Sequence, residues 1–189
     1  EDSAQLRQRC SAAVRAARRG LGPPSQAEAL HLEKLPSIAS DKAPLSPGGP
    51  VWPVEAVAVA SWWLLRDIEA AAVRLGHVRF SRSSTASSSS TLPRQVATLL
   101  LPVSKTDPSA IGAERSHTCL GCPQRCRSVL CPVCTLVRLV EDRRAEGADD
   151  QAPLFVANGG VVTSKAGWAG TVSNLARRLQ LTLTGNNKW

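Results

Sequence analysis

Apolar residues along this 189-residue chain fall into blocks of two different spacings, and the blocks predict its elements. Between positions 3 and 19, Leu6, Cys10, Ala13, Val14 and Ala17 recur at helical spacing. Arg7, Arg9, Arg15, Arg18 and Arg19 crowd the rest of that helix, which either faces a polyanion or packs on the domain with a solvated basic side. Gly20, Gly22, Pro23 and Pro24 end it. Pro36, Pro44, Pro47, Pro50 and Pro53, with Gly48 and Gly49, mark 36–53 as a linker or irregular surface loop. Residues 54–73 are apolar on nearly every side, which predicts a central helix surrounded by the rest of the domain. Trp62 and Trp63 are expected in the core of that packing.

The spacing then changes. Residues 77–81 and 95–103 read as strands, the second an apolar run with β-branched members suited to a half-buried position. The serine-rich tract Ser81–Thr91 between them lacks packing material and reads as a hairpin tip. Residues 112–134 form a cysteine-rich loop too poor in apolar side chains to order itself by packing. A helix follows over about 132–145, with Val133, Leu136, Val137 and Val140 on one face. Pro153–Val156 is a short extended segment, and Asn158-Gly159-Gly160 a turn. Thr163 is the expected N-cap of a last helix, whose stripe is Trp168, Val172, Leu175 and Leu179. The pattern predicts an α+β fold, mostly helical, with a small antiparallel hairpin or sheet. A basic helix and linker occupy 1–50, and the main domain 51–189.

Charge adds a class of partner. The chain carries 23 basic against 15 acidic residues, a net charge of +8. That balance suits nucleic acid, and a basic protein without such a partner would show it too. The apolar run Val51–Leu65 is interrupted by Glu55 and too short to span a bilayer, so no membrane partner is expected. Residues 1–20 contain no apolar stretch of a secretory signal, and an intracellular setting is expected. The chain has no methionine and begins with Glu1, which reads as a piece of a longer reading frame.

Five of the six cysteines lie within Cys119–Cys134, whereas a disulfide scaffold would spread them along the chain. In His117-x-Cys119-x2-Cys122-x3-Cys126-x4-Cys131-x2-Cys134, two Cys-x-x-Cys hooks each offer paired sulfurs to one tetrahedral ion. The predicted ligands of a structural zinc are Cys119, Cys122, Cys131 and Cys134, with Cys126 or His117 as substitutes. Buried free thiols or a redox pair are the competing readings.

Two further landmarks carry a family resemblance. Arg66 stands in Trp62-Trp63-Leu64-Leu65-Arg66-Asp67-Ile68-Glu69, and Lys105 in Leu101-Pro102-Val103-Ser104-Lys105-Thr106-Asp107-Pro108. Further on, Leu154-Phe155 precedes the Gly159-Gly160 turn. This order over about 51–178 resembles the first part of the catalytic core of tyrosine recombinases, and is most similar to recombinase-like reading frames of eukaryotic mobile elements. The resemblance implies a DNA breaking-rejoining core with an inserted Cys-rich loop, double-stranded DNA as partner, oligomers on DNA and a nuclear location. It implies that Arg66 holds a non-bridging oxygen of the scissile phosphate, that Glu69 orients Arg66 or caps the local backbone, and that Lys105 protonates the leaving 5′-oxygen. Such chemistry needs planar guanidinium groups and preorganised cations, because a pentavalent phosphate gathers negative charge. Similar recombinase-like sequences carry a comparable Cys/His insertion with a His near the place of Cys134.

The departures are equally definite. Leu65 stands where the family favours small residues. The second family box, His-x-x-Arg, is missing: His31, His77 and His117 are followed three positions later by Lys34, Phe80 and Leu120. The chain contains no tyrosine, so it lacks a phosphotyrosyl nucleophile. It is therefore expected to end before the second box and to be inactive by itself. The rival expectation is a non-enzymatic, zinc-stabilised DNA- or protein-binding module.

Overall fold

A computed structural model describes residues 30–38, 41–82, 94–102, 112–121 and 128–179, together with helical positions 7, 9–11 and 13–14. Lys105, Cys122, Cys126 and positions 83–91 of the serine-rich tract lie outside the described residues. The fold is α+β. Its elements are α1 (Pro53–Trp62), α2 (Asp67–Ala72), β1 (Val78–Arg82), β2 (Gln95–Leu101), β3 (Ala113–Thr118), α3 (Pro132–Ala145) and α4 (Lys165–Arg178), with short 3-10 turns at Leu32–Ser37, Leu75–His77 and Asn158–Gly160.

Helix α1 is the hub, as its all-round apolar sequence requires. Val54, Ala56, Val57, Ala58 and Val59 are almost inaccessible, and α1 packs against α3 and α4. Glu55, the charge within that run, is 5% exposed and faces Arg138 of α3, with Oε1 and Nη2 3.9 Å apart. The sheet has the order β1-β2-β3 and is antiparallel throughout, with Val78 opposite Leu99 and Leu99 opposite Arg115. On central β2, Ala97, Leu99 and Leu101 are fully buried and alternate with partly exposed neighbours, the period-two signature of one covered face. On α3, Val133, Leu136 and Leu139 point inward, and Val137 and Val140 are half-buried beside them.

The segment before α1 is irregular but tightly packed on α4. Ser164 donates its N–H to Gly48 O (2.9 Å), and Asn174 donates Nδ2–H to Leu45 O (2.6 Å). A Cβ on Gly167 would lie 2.1 Å from the backbone of Gly48, so two chains of backbone meet where only glycine fits.

Four expectations need correction. The helix expected over 54–73 is broken: α1 ends at Trp62 and α2 starts at Asp67. Leu64 lies between them in the left-handed region (φ 52), and the carbonyls of the break are occupied by side chains from β3. The stretch expected to be a loop from 112 onward contains strand β3, whose inward side chains are Ala113, Arg115 and His117. These two long polar residues are satisfied by backbone carbonyls, so no apolar alternation marks the strand. The N-cap of α4 is Ser164, whose Oγ accepts the Gly167 N–H at 2.9 Å, whereas Thr163 Oγ1 accepts from Trp168 Nε1. Finally, Cys10, Ala13 and Val14 of the predicted N-terminal stripe are exposed rather than packed on the domain.

Among the described residues, no helix is long and apolar enough to cross a membrane.

Candidate functional site

Three sulfurs converge where the sheet meets α3. Cys119 follows β3 directly, and its N–H still bonds Gln95 O at 2.8 Å, so the strand ladder fixes its position. Cys131 is the extended residue before α3, Pro132 sets the first helical turn, and Cys134 lies within that turn. Residues three apart at a helix start share a side, which brings the Cys131 and Cys134 sulfurs together. Cys119 Sγ lies 3.7 Å from Cys131 Sγ and 3.9 Å from Cys134 Sγ, and the three ligand atoms all lie within 4.8 Å of one another.

These separations suit hydrogen-bonded thiols and also the ligand atoms of one metal ion. A disulfide needs about 2 Å between sulfurs, and all three cysteines are free thiols. Tetrahedral thiolate ligands about 2.3 Å from a zinc ion stand about 3.8 Å apart. The trio is therefore able to hold a metal ion as three corners of a tetrahedron. Cys119 and Cys131 are buried, and Cys134 is intermediate. Burial, then the neighbouring sulfurs of Cys131 and Cys119, push the Cys134 thiol up to about 12. A cation among the sulfurs would invert that preference, because it favours thiolate.

His117, named as a substitute ligand, has another role. Its Nε2 lies 2.8 Å from Trp62 O, and its ring packs edge-on against Trp62 and Trp63, at centroid separations of 5.6 and 4.7 Å. Among the described residues it does not join the sulfur group. Cys122, the expected fourth ligand, falls outside the described residues.

The second cluster is the corner between α1 and α2. Arg66 is the N-cap of α2, and its backbone N–H donates to Glu69 Oε2 at 2.9 Å, half of a capping box. Glu69 is 1% exposed, and its Oε1 lies 3.9 Å from Arg66 Nη1. The guanidinium is half exposed over this buried carboxylate. Sequence reasoning paired these two residues, and the fold brings them together. Lys105 lies outside the described residues. Beside Arg66 and Asp67 runs a mostly apolar cleft of about 360 Å³, counting its open mouth, lined by Leu65, Ala70, Trp168 and Val172 among others.

The chain matches no protein-family model, no curated protein and no solved structure.

Arg115, which the sequence did not single out, and His117, expected only as a substitute metal ligand, tie the clusters together. Arg115 donates through Nη1 to the carbonyls of Trp63 and of Leu64 (3.0 Å to the latter). Trp63 returns an Nε1–H bond to Arg115 O at 3.1 Å. With His117 on Trp62 O, β3 thus satisfies the carbonyls that a terminating helix leaves without partners. No sequence motif announces this role. The only clue is the placement of two cationic or imidazole side chains at alternate positions just before Cys119.

Proposed function

We propose that this chain acts in DNA integration or recombination, as the portion of a tyrosine-recombinase-like strand-transfer core that carries the family's first arginine. The observation that carries the reading is the pose of Arg66, half exposed above Glu69, whose carboxylate is buried and grips the Arg66 backbone. The backbone at Arg66 is fixed in this way, and its half-exposed guanidinium, 3.9 Å from Glu69 Oε1, has the planar N–H donors that grip a phosphate oxygen in paired hydrogen bonds. Supporting it are the net charge of +8 and an element order of helix, hairpin, helix and helix around α1. With no tyrosine among the 189 residues, none of them forms a phosphotyrosyl bond. The role left to this chain is gripping DNA and stabilising charge at phosphorus. The resemblance to recombinase-like frames of eukaryotic mobile elements makes the nucleus the proposed place of action, with oligomers assembled on DNA.

Cys119, Cys131 and Cys134 would hold a zinc ion, with Cys122 as the proposed fourth ligand. Zinc suits an all-sulfur, tetrahedral set, and a site closed by four protein ligands is structural. The ion would supply local folding energy and no step of strand transfer. The same trio favours the second reading, a zinc-stabilised module that binds DNA without cutting it.

Titration of a fluorescent duplex at rising salt tests the proposal. Binding should be weak, independent of sequence and steeply reduced by salt, because neutralised phosphates release counterions. Absence of binding at low salt, or binding indifferent to salt, would count against DNA as the partner.

A further inference from the structure

We infer that a metal ion held by Cys119, Cys131 and Cys134 sets the pose of Arg66 through Arg115 and His117, which act as positioning residues on β3. The consequence for DNA rests on the proposed function above. The mechanical coupling stands without it.

Strand β3 is an edge strand paired with β2, and its inward face, which carries Arg115 and His117, meets the α1–α2 corner. Its C-terminal end runs straight into Cys119. A metal shared with Cys131 and Cys134 would pin that end to the start of α3. His117 precedes Cys119 by two positions and Arg115 by four, a reach of about 13 Å along a strand. Within this short span, both side chains bond the corner. His117 meets Trp62 O, while Arg115 holds the carbonyls of Trp63 and Leu64. The His117 ring is also seated against the rings of both Trp62 and Trp63.

The corner needs holding. Leu64 sits at φ 52 and is 76% exposed, so its own packing does not fix it. A non-glycine residue in that region persists only where surrounding contacts enforce it. Those contacts are the Arg115 hydrogen bonds on either side of it, together with Leu64 N–H to Ser61 O (3.2 Å) and Leu65 N–H to Ala60 O (2.8 Å). Arg66 is the next residue. Its direction depends on where the corner places its backbone and on the Glu69 grip. Loss of the metal would free the end of β3, slacken Arg115 and His117, and let the corner leave the left-handed turn. Helices α3 and α4 are buried against α1 by their own apolar rows and would stay in place.

Amide hydrogen exchange on the full chain, zinc-loaded and after chelation, tests the coupling. We expect the amides of Leu64 and Leu65 to exchange about tenfold faster or more without metal, while those of α4 are unchanged. Arg115→Ala should give fast corner exchange even with zinc bound, and Arg115→Lys should restore part of the protection. Unchanged corner exchange after complete zinc removal would overturn the inference, as would equal acceleration of α4. A cycle of Arg115→Ala, Arg66→Ala and the double variant in duplex-DNA affinity supplies the readout that a merely structural role would not move. If Arg115 acts through Arg66, the double variant binds no more weakly than Arg66→Ala alone. Additive losses would overturn the positioning role. Corner exchange that follows zinc, with no variant altering DNA affinity, would uphold the coupling and reject the DNA reading instead.

Discussion

Cys119 and Cys131 hold their sulfurs 3.7 Å apart across twelve positions of sequence, one at the end of an edge strand and the other at the start of a helix. The pair joins two elements whose approach is otherwise secured by packing on α1 and β2. Purified, reduced protein should contain about one zinc per chain. Cys131→Ser and Cys119→Ser should each lower that content strongly, and His117→Gln should leave it unchanged, since His117 Nε2 is bonded to Trp62 O. Elemental analysis of the four proteins checks this. Zinc lost from His117→Gln but retained in Cys131→Ser would contradict the assignment.

The strained corner makes a separate prediction. Leu64 occupies the left-handed region with little burial, so Leu64→Gly removes a backbone cost of about 1–2 kcal/mol and little packing. The greater freedom of glycine in the unfolded chain offsets about 0.5–1 kcal/mol of this. Denaturant midpoints should therefore be equal or higher for Leu64→Gly. They should be lower for Leu64→Val, whose β-branch fits that region worst.

Close backbone contact makes Gly167 intolerant of any side chain. The added methyl of Gly167→Ala would overlap the Gly48 carbonyl group and separate α4 from the segment before α1. A loss of about 2–3 kcal/mol is expected by denaturant unfolding, although alanine is the better helix former.

His77 makes stability depend on pH. Burial first, and then the charge of Arg74, lower its pKa from the ordinary value of 6.5. Its Nδ1 accepts the Arg74 backbone N–H at 3.2 Å, a bond open only to a ring unprotonated at that nitrogen. The unfolded chain therefore binds the proton more readily than the folded one. The associated stability is fully present above about pH 6.5 and is lost as pH falls from there towards the lowered folded value. Unfolding of the unmodified chain and of His77→Gln between about pH 7 and 5 should show the shallower slope in the variant.

The parts of this fold that were legible are those whose side chains carry their own periodicity. Helix α3 lies over Pro132–Ala145, where the spacing of Val133, Leu136 and Val140 put it, and α4 buries the predicted Trp168, Val172 and Leu175. The Cys131–Cys134 pairing was legible because i, i+3 spacing at a helix start presents two sulfurs to one point. The break after Trp62 was not, because local composition favours continuing the helix and the deciding hydrogen bonds come from residues some fifty positions away. Strand β3 stayed hidden for the converse reason: its inward positions are Arg115 and His117, polar residues whose partners are carbonyls rather than an apolar core. A ligand-like histidine beside cysteines is read as a metal donor, and only the fold reveals that it closes a helix.

The central claim is that Arg66 grips DNA phosphate. Its most direct test is duplex-DNA affinity at low salt for Arg66→Ala beside Arg144→Ala, which removes the same charge from an arginine already paired with Asp150. Loss of a charge-assisted contact should weaken Arg66→Ala by about tenfold or more, with Arg144→Ala within about twofold of the unmodified chain. Equal affinities for the two variants would contradict the account.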